Sequence, residues 1–140
     1  MSILIKSATL VDSKSNLNFK KKDILIKDGV IVDIADTIDT NATQIFDFEN
    51  LHVSKGWMDT SVSFGEPGYE ERETINIGLE VASKSGFTAV AVNANTNPVI
   101  DSKSDVEFLI NKATNSATNL FPIGALTKGS KGIDMAELFD

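Results

Sequence analysis

Residues 56–68 read GWMDTSVSFGEPG, and this stretch holds the clearest fold signal in the chain. The apolar run that leads into Asp59 predicts a strand, and the Glu-Pro-Gly at its far end predicts a loop. Ser61 and Ser63 lie where the strand ends. A serine hydroxyl is neutral at physiological pH and is a poor ligand for a divalent transition metal. This strand end therefore offers hydroxyl groups rather than a metal site.

The composition is that of an ordinary globular domain, with 41% hydrophobic and 24% charged residues among 140. No apolar run is long enough to span a membrane, and residues 1–11 lack the features of a secretory signal, so we expect the protein in the cytoplasm. The absence of cysteine removes disulfides and thiolate zinc sites. Twenty acidic against thirteen basic residues give a net charge of -7, which argues against a nucleic-acid partner.

The first 52 residues alternate apolar and polar side chains, as half-buried strands do. Asp28 and Gly29 lie between two such runs and predict a hairpin, because both residue types tolerate positive φ. A further strand is predicted over residues 44–48. Residues 1–52 are therefore predicted to form a small β module.

From residue 53 onward, strands and helices alternate, which implies a parallel sheet with helical crossovers. The predicted strands cover residues 53–59, 87–93 and 120–126, and the predicted helices cover residues 73–85, a segment from Ser102 or Ser104, and residues 134–140. Ser104 and Glu107 have capping-box spacing. Three parallel strands cannot close a barrel, which takes about 250 residues. We expect the chain to be the first part of a longer barrel, or to have its open edge covered by another chain.

Three separated segments resemble, in order and spacing, a dihydroorotase of the amidohydrolase superfamily. The family segments typically read GFIDLHVHLREPG, MPNTNP and PIGAITKG, and this chain has GWMDTSVSFGEPG at 56–68, NANTNP at 93–98 and PIGALTKG at 122–129. The resemblance covers essentially the whole chain. It implies an α/β fold with a small amino-terminal β-sandwich module over residues 1–52, completed by the other chain end. The first three β/α units of a TIM-like barrel follow over residues 53–140.

The resemblance also implies which functional groups are missing. Ser61 and Ser63 match the two histidines that hold zinc in active family members, and Gly65 matches the arginine that clamps the substrate carboxylate. Asn95 matches an asparagine that helps to bind that carboxylate, and it is the one substrate contact retained. We expect no bound metal and a catalytically degenerate homologue. Restoring activity would require Ser61→His, Ser63→His and Gly65→Arg together.

Other polar and aromatic residues receive structural roles. His52 is expected to be structural, Trp57 is expected to lie in the core, and the acidic residues Glu70, Glu71 and Glu73 are expected to complement the amino terminus of the following helix.

Three functional hypotheses remain open at this point. The leading one is a non-catalytic dihydroorotase-like protein of pyrimidine biosynthesis, retained as a structural partner of a pathway enzyme. The resemblance implies aspartate transcarbamoylase as that partner, with self-association as the alternative. The second is an active hydrolase of cyclic amides, such as a dihydroorotase or a hydantoinase-like enzyme, with a divergent site. The third is a binding module that holds a small acidic metabolite at Asn95 without altering it.

Overall fold

The computed structural model describes residues 1–137 and divides the chain into two compact units, Met1–Lys55 and the part from Gly56 onward. The elements are β1 (Ser2–Val11), β2 (Lys21–Lys27), β3 (Val30–Ala35), β4 (Gln44–Phe46), β5 (His52–Ser54), β6 (Trp57–Val62), α1 (Ile75–Lys84), β7 (Phe87–Val92), α2 (Lys103–Lys112), β8 (Asn119–Pro122) and a 3₁₀ turn (Lys128–Ser130). Neither α1 nor α2, the α-helices of the described part, is long and apolar enough to cross a membrane.

The first unit is built on one mixed sheet in which β1 is central. The strand order is β3-β2-β1-β4, and β5 also pairs with β1. The predicted hairpin is confirmed, since β2 and β3 are antiparallel and both Asp28 (φ 49°) and Gly29 (φ 80°) have positive φ. The amino half of β1 pairs in parallel with β4, and its carboxyl half pairs in parallel with β5. One long strand therefore organises this sheet.

A buried carboxylate explains the irregularity in β1. The pairing with β2 shifts register between Ile5 and Ala8, and Ser7 between them has φ 50°. The Asp23 side chain is only 2% exposed, and its two oxygens accept the main-chain N–H groups of Ser7 at 2.8 Å and Ile38 at 2.9 Å. Because a buried carboxylate must be hydrogen-bonded, Asp23 fixes the bulge and the loop after β3 together.

The single strand predicted over residues 53–59 is wrong. His52–Ser54 pairs with β1 in the first sheet, whereas Trp57–Val62 belongs to the second sheet. The change occurs at Gly56, where a Cβ would lie 2.0 Å from Cγ2 of Thr88. This close approach needs a residue without a side chain, which the apolar pattern of the stretch did not reveal.

The second unit holds a parallel sheet in the order β6-β7-β8, with α1 and α2 as the crossovers. The helix predicted over residues 73–85 is confirmed in type, and it begins at the N-cap Thr74 and ends before Gly86, whose φ is 88°. Gly78 on α1 lets the ring of Phe64 come close, since a Cβ there would lie 2.3 Å from Cε1. The buried core consists of Phe64, Ile75, Leu79, Val90, Val92, Ile100 and Leu109.

Helix α2 begins with a capping box two residues earlier than the Ser104–Glu107 spacing predicted. Ser102 Oγ accepts the Asp105 N–H at 3.4 Å, and Asp105 Oδ2 accepts the Ser102 N–H at 3.1 Å. Ser104 Oγ instead hydrogen-bonds to the Ser102 hydroxyl, at 2.8 Å. Both serine starts fit the sequence pattern, and the backbone geometry selects Ser102.

Ser102→Ala should lower the free energy of unfolding by about 1 kcal/mol, because it removes the N-cap acceptor. Ser104→Ala is the matched control and should change it by less than about 0.5 kcal/mol. Urea denaturation of both variants measures the difference. Equal losses would show that Ser102 is not the cap.

The third strand of the second unit and the segment that follows it differ from the prediction. Strand β8 ends at Pro122 rather than at residue 126, and the chain continues into the Lys128–Ser130 turn. The helix predicted over residues 134–140 is not formed at residues 134–137, and residues 138–140 lie outside the described part.

The predicted core position of Trp57 is wrong, because this residue is 61% exposed. Its ring meets the Phe87 ring edge-on, with the two ring centroids 5.8 Å apart.

Candidate functional site

The candidate site lies at the carboxyl ends of β6 and β7. Ser61 is the penultimate residue of β6, Ser63 follows that strand, and Asn93 follows β7. Parallel strands end at the same edge of a sheet, so these side chains meet there. The main-chain N–H of Asn93 donates to the carbonyl oxygen of Val62 at 2.9 Å, which fixes the two strand ends against each other.

Hydrogen bonds from two amides join the serines. Asn93 Nδ2 donates to Ser61 Oγ at 3.1 Å and to Ser63 Oγ at 3.4 Å. Asn95 Nδ2 donates to Ser63 Oγ at 3.0 Å. The structure therefore brings together three residues that the sequence singled out, Ser61, Ser63 and Asn95, and adds Asn93 as the residue between them.

The donor set of this cluster does not fit the zinc ion that the family resemblance implies. Its four side chains are neutral hydroxyls and amides, whereas zinc sites use imidazole, thiolate and carboxylate ligands. The carboxylate of Asp59 on the same strand accepts the main-chain N–H of Ser61 at 3.0 Å. Among residues 1–137, no group of three or more His, Cys, Asp or Glu side chains could hold a metal ion.

The same cluster lacks the parts of a serine nucleophile. In the described structure, the hydroxyl oxygens of Ser61 and Ser63 hydrogen-bond only to the amides of Asn93 and Asn95. An amide is not a base at physiological pH, so neither hydroxyl is activated. His52 is engaged locally in the first unit, where Nδ1 lies 2.7 Å from the Asn50 carbonyl oxygen.

The clamp position is closed by the backbone. Gly65 is buried, its N–H donates to the Glu73 carbonyl at 2.9 Å, and its own carbonyl accepts the Tyr69 N–H at 2.7 Å. A Cβ at Gly65 would lie 2.0 Å from the Tyr69 carbonyl oxygen. No side chain fits at this position while the loop over residues 65–73 keeps its conformation.

Glu66, beside the glycine, connects this loop to both helices. It is buried, its Oε2 accepts the Ile75 N–H at 3.0 Å, and its Oε1 forms an ion pair with Lys112 Nζ at 2.8 Å. The acidic residues expected to complement the amino terminus of α1 are not in its first turn. Glu70 instead accepts the Gly68 N–H at 2.9 Å, and this hydrogen bond lowers the pKa of Glu70.

Sequence reasoning missed Asn93 and the role of Glu66. The signal for Asn93 was present, because it is a polar residue directly after the apolar strand FTAVAV and it stands where the family segment MPNTNP has methionine. Glu66 gave no such signal, because its partners Ile75 and Lys112 are distant in sequence and only the fold brings them to it.

Comparison with known proteins identifies the family. The family described as dihydro-orotase-like matches residues 51–139. Two curated relatives are the dihydroorotase of Ruminiclostridium cellulolyticum, 42% identical over 139 residues, and that of Pelotomaculum thermopropionicum, 39% identical over 140 residues. They match 99% and 100% of this chain but only 32% and 33% of their own lengths, so the chain spans about a third of these relatives. The chain belongs to the dihydroorotase-like family.

Solved structures agree on the fold. The L-hydantoinase (dihydropyrimidinase) from Arthrobacter aurescens superposes with a TM-score of 0.76 at 21% identity, over 89% of this chain and 28% of that one. A dihydroorotase crystal structure superposes with a TM-score of 0.64 at 16% identity, over 91% and 32%. At these identities the likeness concerns the fold alone.

Proposed function

We propose that this chain is a dihydroorotase-like protein of pyrimidine biosynthesis that binds no zinc, does not catalyse the reaction, and acts in the cytoplasm as a structural partner of a pathway enzyme. One observation carries the proposal. At the strand ends where the family pattern has two histidines, Ser61 and Ser63 are hydrogen-bonded to neutral amides.

The chemistry of the family explains why this matters. Opening a cyclic amide at neutral pH needs a strong nucleophile, and a bound divalent ion provides one by lowering the pKa of water from about 15.7 to about 7. Hydroxyls and amides cannot do this. The reaction also requires that the substrate carboxylate be held, and Gly65 offers no guanidinium for this at the clamp position.

We also propose the finer architecture implied by the resemblance. The first unit would be one part of a β-sandwich completed by other residues, and the second unit would be the first three β/α units of a TIM-like barrel. Support comes from the parallel order β6-β7-β8 and the crossovers α1 and α2. The helix of the third unit is not among the described residues.

The partner in this proposal is aspartate transcarbamoylase, with a second copy of the chain as the alternative. Support for assembly comes from an apolar strand at the edge of the first sheet. In β3, Val30, Ile31 and Val32 are 62%, 56% and 51% exposed. Because β3 is also the last strand in the order β3-β2-β1-β4, its free edge offers main-chain hydrogen-bonding groups to a strand of another chain.

Zinc analysis and a dihydroorotase assay on one preparation of the longest natural form of the chain test the proposal. We expect zinc far below one ion per chain and no turnover of dihydroorotate, with or without added zinc. The dihydroorotase of Ruminiclostridium cellulolyticum, purified in parallel, is the positive control. Stoichiometric zinc, or hydrolysis of a cyclic amide that is lost on chelation, would overturn the proposal and favour an active hydrolase with a divergent site.

A further inference from the structure

The side chain of Asn93 lies between the two serines of the candidate site. Its Nδ2 donates to both hydroxyl oxygens, and a primary amide nitrogen carries two hydrogens, one for each acceptor. Its main-chain N–H also donates to the Val62 carbonyl oxygen. One residue therefore ties the end of β7 to the end of β6 through both backbone and side chain.

The bond from Asn95 completes the arrangement. Ser63 Oγ accepts from both Asn93 and Asn95, which uses both of its lone pairs. Ser63 follows β6 and both asparagines follow β7, so each of these bonds crosses between the two strand ends. The strand ends are held by three side-chain hydrogen bonds among neutral groups.

The sequence differences occur together at these positions. The family segments have histidine at the positions of Ser61 and Ser63 and methionine at the position of Asn93. A thioether has no N–H to donate. The chain thus has two small acceptors at the end of β6 and a double donor opposite them at the end of β7.

We propose that Asn93 is a positioning residue that holds the ends of β6 and β7 together, beside the positions where active relatives carry the histidines that hold the metal ion. This inference rests on the proposed function, because it concerns a chain without zinc. It adds that the geometry of Ser61 and Ser63 is set by an amide and is independent of divalent cations.

Asn93→Leu tests the proposal, because leucine has a similar shape and no hydrogen-bonding groups. The midpoint of thermal unfolding of the full chain should fall by about 3–5 °C. Asn119→Leu is the matched control, since Asn119 is an exposed asparagine on β8 and its side chain makes no hydrogen bond within the described structure. It should leave the midpoint nearly unchanged. Adding zinc or EDTA should not shift the unfolding midpoint of either variant.

A double-mutant cycle separates positioning from general stabilisation. Combining Asn93→Leu with Ser61→Ala should lower the midpoint by less than the sum of the single shifts, because both remove the same bond. Additive shifts would overturn the role of Asn93. Should Asn93→Leu fail to fold, hydrogen exchange of the Asn93 side-chain amide gives the answer, since Ser61→Ala should accelerate it and an unchanged rate would contradict the proposal.

A failure of the proposed function and a failure of the role of Asn93 give different results. A midpoint of the unmodified chain that falls with EDTA and recovers with zinc would overturn the proposed function and this inference together. An unchanged midpoint with EDTA, combined with additive shifts in the cycle, would overturn only the role of Asn93.

Discussion

Gly65→Arg should lower the free energy of unfolding by about 3 kcal/mol and should not create a substrate clamp. The reason is the backbone, since the first atom of any side chain would lie 2.0 Å from the Tyr69 carbonyl oxygen and 2.9 Å from the Glu73 carbonyl oxygen. Backbone atoms cannot rotate aside as a flexible side chain can. The loop must therefore change conformation and lose the hydrogen bonds that close it at Gly65. Urea denaturation measures the loss, and calorimetry with dihydroorotate should show no binding.

Gly86→Arg is the matched control. A Cβ at Gly86 would have no neighbouring atom within 4 Å, but the φ of this residue is 88°, so the same substitution there meets conformational strain without a collision. It should cost about 1–2 kcal/mol. If Gly65→Arg were as stable as Gly86→Arg, the loop would have room for an arginine. Reversion by Ser61→His, Ser63→His and Gly65→Arg together would then remain a route to activity, as the sequence alone suggested.

Glu66→Ala should lower the free energy of unfolding by about 2–3 kcal/mol. The substitution leaves the Ile75 N–H buried without an acceptor and removes the ion pair with Lys112. Because Glu66 contacts both α1 and α2, the loss should also loosen the loop over residues 65–73. Urea denaturation gives the energy, and hydrogen exchange at Ile75 should show faster opening in the variant.

Two further variants separate the roles of the carboxylate. Glu66→Gln keeps an oxygen acceptor for the Ile75 N–H, so it should lose less than Glu66→Ala. Lys112→Met removes the partly exposed cation but leaves the buried Glu66 carboxylate without its charged partner, so it should cost about 1–2 kcal/mol, more than a pair exposed on both sides. If Lys112→Met were as costly as Glu66→Ala, the ion pair rather than the helix contact would dominate.

Local signals in the sequence predicted much of the fold. The Asp28-Gly29 pair gave the hairpin because positive φ is a property of those residue types. Gly86 gave the end of α1 for the same reason. The meeting of Ser61, Ser63 and Asn95 was also predictable, because the ends of parallel strands share one edge.

The remaining features depend on contacts between distant residues. The break at Gly56 follows from the approach of Thr88, and the closed loop at Gly65 follows from Tyr69 and Glu73. The choice of Ser102 over Ser104 as the N-cap depends on the backbone angles at these residues, and the sequence pattern fits both serines equally. The sequence marks Asn93 only as the end of a strand, because its importance lies in the two serines opposite it.

The pairing of β1 has a consequence for how the first sheet forms. Ile3 pairs with Gln44 and Thr9 pairs with His52, so both halves of the first strand need partners about forty positions later. Contacts this remote in sequence close slowly, whereas the β2–β3 hairpin closes locally. During synthesis, the hairpin can form early, but one edge of β1 stays bare until residues 44–54 have left the ribosome. Strand β1 is thus made before all of its partners and is among the last strands of this sheet to be fully paired.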